Sequence, residues 1–317
     1  MQASEINSNR IYLYVEISKA ILKSVNFVTK TCAKLRTIPE EPDFIASLTL
    51  NFTCSLHKIL KAHFPKNKYS VTGIFCHQKP LVDIGEIKSP ELGDILFIYI
   101  HSDKLGNKRH NSLLLQAKIS QKEIFKISIN EYHQLKLYKN WPEFKYKRAG
   151  SALNGALRSI LPKTSNDGAQ YLLIDNHPLN GLSGKLGTFP MGCAQPQETL
   201  HLDNDFAYEI IDFLKFKAGR IFEENPTTSN DDWTKMIWEM IDITKLKLSK
   251  RNNIGLHRFP RSIAKDYDGL HYINSETPSI FSDLVNYDGE ERTKRIIDDD
   301  ANGALSLIVI ESIENKG

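Results

Sequence analysis

Three residues between positions 91 and 120 combine types that suit the cleavage of a phosphate ester. Gln116 and Lys118 stand two apart in LLLQAKIS, residues 113–120. In an extended strand alternate side chains share a face, so these two point one way while Leu113, Leu115, Ala117 and Ile119 pack on the other. A lysine on so apolar a strand needs a partner. Asp94 supplies one, because it opens the run that follows in ELGDILFIYI, residues 91–100, which is apolar on both faces as a buried strand is. The intervening HSDKLGNKRHN, 101–111, is polar and turn-rich. That order predicts a hairpin, and pairing across it brings the Asp94 carboxylate close to Gln116 and Lys118.

Such a group matches the needs of phosphodiester hydrolysis. A hard cation such as Mg2+ (or Mn2+) takes oxygen ligands and keeps several waters. Asp94 offers a carboxylate and Gln116 an amide carbonyl, while Lys118 is suited to position or help deprotonate the attacking water and to offset charge on the phosphate. The bland alternative is a buried polar cluster, with Lys118 snorkelling to solvent and Asp94 a turn residue at the start of its strand.

An acid on one strand, followed on the next by Glu, Asp or Gln, one spacer and Lys, resembles the signature of the PD-(D/E)XK (restriction-endonuclease-like) nuclease superfamily. The glutamine in LLLQAK looks most like the Mrr-like branch. The resemblance covers roughly residues 43–175, in helix, hairpin, helix and strand order. It implies that Asp94 is the metal-binding aspartate, Gln116 the second ligand and Lys118 the catalytic lysine of a Mg2+-dependent endonuclease acting on nucleic acid, most simply DNA. A role in bacterial defence against phage or foreign DNA is implied in the same way, as is control by a partner protein, a ligand or a homodimer. Gln116 is neutral where most members carry a carboxylate. Glu91, three residues before Asp94, is one candidate for a compensating catalytic acid, and Glu41 and Asp43 are others; the choice stays open. Two rivals remain, a non-catalytic nucleic-acid-binding protein with a degenerate nuclease fold and a structural or interaction protein.

Between Lys136 and Lys163 seven basic residues face one acid, a local net charge of +6. Lys145, Lys147, Arg148 and Arg158 are the candidate phosphate contacts there, with Tyr138, Trp141, Phe144 and Tyr146 interleaved as candidate base-stacking groups. Lys108 and Arg109 in the hairpin loop are further candidates. The alternative is a solvated face whose aromatics anchor a loop to the core. GLSGKLGT, 181–188, lacks the spacing of a phosphate-binding loop and reads as a surface loop, and His77 and His177 read as loop residues beside strands.

The surrounding chain predicts an α/β protein. Helices are expected over about 10–35 and from Asp43 to before Pro65, then a strand over 69–76, loop around Pro80 and Pro90, and the hairpin. Helices near 128–139 and 149–160, the strand YLLID at 171–175, a loop over 176–197, helices near 203–219 and 231–248, and a strand at 304–312 follow. We expect a restriction-endonuclease-like mixed central sheet flanked by helices over residues 1–200, with a mostly helical accessory region over 201–317. A composition that is 41% hydrophobic and 25% charged is that of an ordinary folded domain, and a net charge of +3 permits nucleic acid as partner without arguing for it. The four cysteines form no CxxC pair, which disfavours a zinc ribbon or a disulfide framework. With no apolar run near the ~20 residues that span a bilayer and no signal-like start, the expected location is the cytoplasm, with no membrane partner.

Overall fold

The computed structural model describes residues 3–76, 79–120, 122–176, 190–250, 270–273 and 303–315, of which 246–250 and 270–273 are described as backbone alone. The chain opens with a short helix, α1 (Ala3–Ser8), and a long one, α2 (Arg10–Leu35). Leu13, Ile17, Ile21, Val25, Val28 and Cys32 recur at intervals of three and four and are buried, the apolar stripe that docks α2. Arg36 ends it in the left-handed conformation, φ 55°. The next helix begins with a capping box in which Glu40 and Asp43 satisfy each other's backbone N–H groups, and Pro42 sits in its first turn. It runs through α3 (Glu41–Ser47), a π-helical segment Leu48–Phe52 and α4 (Thr53–His63). The π turn presses on the sheet at Gly73, where any Cβ would lie 1.7 Å from the Thr49 carbonyl oxygen, so only glycine fits.

The remaining strands are β1 (Asn67–Phe75), β2 (Val82–Asp83), β3 (Ile95–Ser102), β4 (Lys108–Ile119), β5 (Ile124–Lys126), β6 (Phe144–Tyr146), β7 (Leu157–Arg158), β8 (Ala169–Ile174), β9 (Met191–Ala194), β10 (Thr199–His201), β11 (Asn204–Asp205), β12 (Arg220–Phe222), β13 (Leu270–Ile273) and β14 (Ser306–Glu314). Helices α5 (Tyr132–Asn140), α6 (Phe206–Leu214) and α7 (Asp232–Lys250) complete the described elements. The main sheet is mixed, in the order β11-β9-β8-β4-β3-β14-β1-β13, with β12 pairing the start of β4. β3 and β4 form the expected hairpin, closed by Asp103, whose Oδ1 accepts from the Leu105 and Asn107 N–H groups. β4 then runs parallel to β8, joined to it by a crossover that carries α5.

One face of the sheet buries Ile95, Phe97, Tyr99, Leu113, Leu115 and Ala117 with residues of α2, α3, α4 and α6. The other buries Leu96, Ile98 and Leu114 with Tyr138, Trp141, Trp233 and Met240. The alternation inferred for LLLQAKIS is therefore present, and Gln116 and Lys118 belong to the second face. The structure is α/β, a mixed central sheet flanked by helices.

Three expectations change. Residues 149–160 form turns and β7 in place of a helix, because Gly150 and Gly155 take positive φ of 91° and 87° and break the helical path. The expected loop over 176–197 contains β9, antiparallel to β8, while 177–189, with His177 and the GLSGKLGT run, lie outside the described residues, as does His77. Among the described residues beyond α7 the C-terminal part is strand and not helix: β13 and β14 both belong to the main sheet, and β14 lies between β3, to which it is parallel, and β1. Its Ile308, Val309 and Ile310 are fully buried, as strands covered on both faces require.

Candidate active site

Hairpin register builds the centre. Ile95 pairs with Leu115, and the Asp94 N–H donates to the Leu115 carbonyl at 2.9 Å, carrying the pairing one residue further to set Asp94 opposite Gln116. Asp94 Oδ2 accepts from Gln116 Nε2 at 2.5 Å and from the Ala117 N–H at 2.7 Å. Gln116 is 5% exposed, and its Oε1 is a buried acceptor with no hydrogen-bond partner. A buried carbonyl oxygen left this way costs stability unless something else binds it.

Lys118 lies on the same face. Its Nζ donates to Glu131 Oε1 at 2.5 Å and lies 4.0 Å from Glu41 Oε1. Glu131 closes a 3-10 turn, Ile129–Glu131, just before α5, and Glu41 opens α3, where its Oε1 also accepts from the Ile119 N–H. Among the acids left open by sequence, Glu41 faces the centre and Asp43 serves the helix cap. Glu91 lies at the rim, half-exposed, bridged through its backbone to Leu81 and 3.9 Å from Arg148 Nη2.

Burial drives the electrostatics. It raises the Asp94 carboxyl above its ordinary range, opposed by Lys79, the Ala117 N–H and Lys118. Glu91 moves in the same direction through burial and the Asp94 charge. Glu41 is pushed up to about 7 from 4.5, first by burial, with Lys118 acting against it and Asp94 with it. For Lys118 burial acts to lower the pKa, but Glu41, Glu131 and Asp94 outweigh it and the net shift is upward. The ammonium therefore stays charged near neutral pH.

The Glu41 shift has a measurable consequence. A glutamate at about 7 folded and 4.5 unfolded binds its proton more tightly in the folded chain, so its contribution to stability falls as pH rises from about 4.5 to 7 and is level above. Melting of the metal-free protein from pH 5 to 8 should show this fall. Glu41→Gln should flatten it and melt higher than wild type at pH 8; an unchanged slope would contradict the placement.

Sequence reasoning missed Lys79 and Glu131. Lys79 is 2% exposed, its Nζ donating to the Cys76 carbonyl at 2.7 Å and to Ser306 Oγ at 3.2 Å. Arg148 donates twice to the Lys79 carbonyl, at 2.9 and 2.7 Å. The pairing of Leu81 with Glu91, and of the Leu92 N–H with the Pro80 carbonyl, sets Lys79 beside Gly93 and Asp94. Only Glu131 carried a signal in the sequence, as an acid at the start of a helix following the lysine strand.

The chain matches no family model, no curated protein and no solved structure. The site is read from its own chemistry.

The proposed nucleic-acid contacts divide. Lys108 pairs with Glu224 and Arg109 lies over the Phe216 ring, both at the far end of β4, eight and seven residues or ~27 and ~24 Å from Gln116 along the strand. Arg158 is taken by Glu239 and does not converge on the centre. Lys147 donates to Ser89 Oγ, Lys145 is exposed, and Arg148 alone of the six touches the site. Tyr138, Trp141, Phe144 and Tyr146 are at most 2% exposed, so they pack in the core and not on bases, Tyr138 stacked on Trp141 and Phe144 edge-on to Tyr146. Their interleaving with lysines marks a buried face beside a solvated one.

Asp94 and Gln116 present oxygen donors of the kind a divalent cation takes. Among the described residues no three His, Cys, Asp or Glu side chains converge closely enough to hold an ion by themselves. An ion here would draw on Asp94, the unpartnered Gln116 Oε1 and water, the mixed oxygen shell that Mg2+ accepts. Glu91 and Glu41 are the neighbouring acids.

Proposed function

We propose that the chain is a Mg2+- or Mn2+-dependent nuclease of the PD-(D/E)XK type, hydrolysing phosphodiester bonds in nucleic acid, most simply DNA. The observation that carries this reading is the buried Gln116 Oε1, which lacks a partner while its own amide group is fixed on Asp94. A hard cation is a partner that such a carbonyl oxygen can take. The helix, hairpin, helix and strand sequence over residues 41–174 supports the same reading.

Asp94 and Gln116 would hold the ion, which supplies charge neutralisation at the phosphate and a more acidic water. Lys118, fixed between Glu131 and Glu41, stays an ammonium. Its role is to donate to a phosphate oxygen as negative charge grows there, not to take a proton. Glu41, with a pKa of about 7 and 4.0 Å from Lys118, would accept the proton of the attacking water. Arg148 ties Glu91 to the Lys79 carbonyl and so steadies the rim.

One observation favours a second reading. The trio holds a single carboxylate, which suits a nuclease fold that binds nucleic acid without cutting it. Incubating plasmid and single-stranded DNA with wild-type protein and Mg2+ or Mn2+ separates the two. Cleavage that a chelator stops is the expected result; binding without cleavage under every metal condition would leave the binding protein. Defence against foreign DNA and activation by a partner protein or a homodimer rest on the family resemblance alone.

A further inference from the structure

Outside the reaction centre, a groove of about 410 Å³ lies between α2 and the π-helical segment, and Lys19, Lys23, Asn26, Phe27, Lys30 and Asn51 line it. The three lysines stand four and seven residues apart, so they share one face of α2 and span about 16 Å along it. All three are exposed, and Phe27, between Lys23 and Lys30 on the same face, packs partly against the core and lines the groove with the rest of its surface. No acid lines the groove among the described residues, and Glu16, one turn before Lys19, is occupied with His63. Asn51 is tied to α2 through Ser47, its Nδ2 donating to Ser47 Oγ at 3.1 Å and that hydroxyl to the Ser24 carbonyl at 2.9 Å. The π turn that carries Asn51 is a feature that recurs at functional sites.

We propose that this groove binds a single-stranded segment of nucleic acid, its phosphates on Lys19, Lys23 and Lys30 and a base against Phe27. A row of cations alternating with an aromatic ring is the arrangement that tracks a strand without reading its sequence, and the two amides add donors for phosphate or base edges. A duplex keeps its bases stacked inside and offers nothing to Phe27. Asn51 lies ten residues from Glu41 along one continuous helix, ~15 Å. The choice of nucleic acid over other polyanions rests on the nuclease reading.

Anisotropy of a labelled DNA strand of about 12 nucleotides tests this, with chelator present so that nothing is cut and salt varied between about 50 and 200 mM. The full chain is compared with a triple variant carrying Lys19→Glu, Lys23→Glu and Lys30→Glu, and with the three Lys→Gln changes as a milder version. Both variants should melt like wild type, since the positions are exposed. The Glu variant should bind at least about tenfold more weakly, and the slope of log affinity against log salt should shrink by about 2, the effect of three lost single-strand phosphate contacts. Lys104→Glu, in the exposed turn at the far end of the hairpin, should bind like wild type, so loss of the groove is told apart from loss of positive charge elsewhere. Wild-type affinity and slope in the triple variant would overturn the groove and leave the nuclease reading untouched. Equal affinity for a duplex, or tighter binding of a Glu-rich peptide, would overturn the single-strand assignment.

Discussion

Lys118→Ala should lower metal-dependent cleavage by about 10³-fold, near 4 kcal/mol of lost transition-state stabilisation, while the protein stays folded. The ammonium sits on the polar face of β4 with its side chain 12% exposed, held by Glu131 and Glu41. When the lysine is gone Glu131, a third exposed, can rehydrate and Glu41, pushed up to about 7 already, can hold a proton, so the melting temperature should change little. Lys118→Arg should preserve the pair with Glu131 and the stability, yet fail to restore the rate, because a planar guanidinium cannot occupy the position of a compact ammonium. If the lysine only stabilises the fold, the outcomes reverse: both variants cut like wild type, and the alanine variant melts markedly lower.

Asp94 gives a second large and divided effect. In Asp94→Ala the Ala117 N–H and Gln116 Nε2 lose their shared acceptor inside the protein, at a cost of about 1–3 kcal/mol for each orphaned donor. Asp94→Asn retains an acceptor oxygen of the same shape and removes a carboxylate that burial already disfavours in its charged form. Metal-free denaturant melts should therefore place Asp94→Ala about 2–5 kcal/mol below wild type and Asp94→Asn within about 1 kcal/mol of it. Both should lose Mn2+ binding, measured by calorimetry. Retained Mn2+ affinity in Asp94→Asn would remove Asp94 from the ligand set.

The local parts of this site were legible in the chain. Period-two alternation placed Gln116 and Lys118 on one face of β4, and the turn-rich segment around Asp103 announced the hairpin that sets Asp94 opposite them. The existence of α2 was equally readable though its apolar face was blurred, and the helix expected from Asp43 begins two residues earlier, at Glu41, behind a Glu40 cap. What escaped depends on distant pairing. Nothing in HQKP marks Lys79 as a buried ammonium, because its neighbours Cys76 and Ser306 meet only when β14 enters the sheet beside β1. The same insertion turns the C-terminal strand into a central one. Composition misled most between 136 and 163: lysines and aromatics alternate there, but the rings face inward while the cations pair with Glu86, Glu198 and Glu239 or reach solvent.

The most direct test of the account is cleavage of circular plasmid DNA across a Mn2+ titration, run side by side with wild type and Asp94→Asn. The account predicts that wild type cuts with a saturable dependence on Mn2+ and that Asp94→Asn, equally folded, does not cut at any concentration. Equal cutting by the two proteins, or none by wild type at saturating Mn2+, would contradict it.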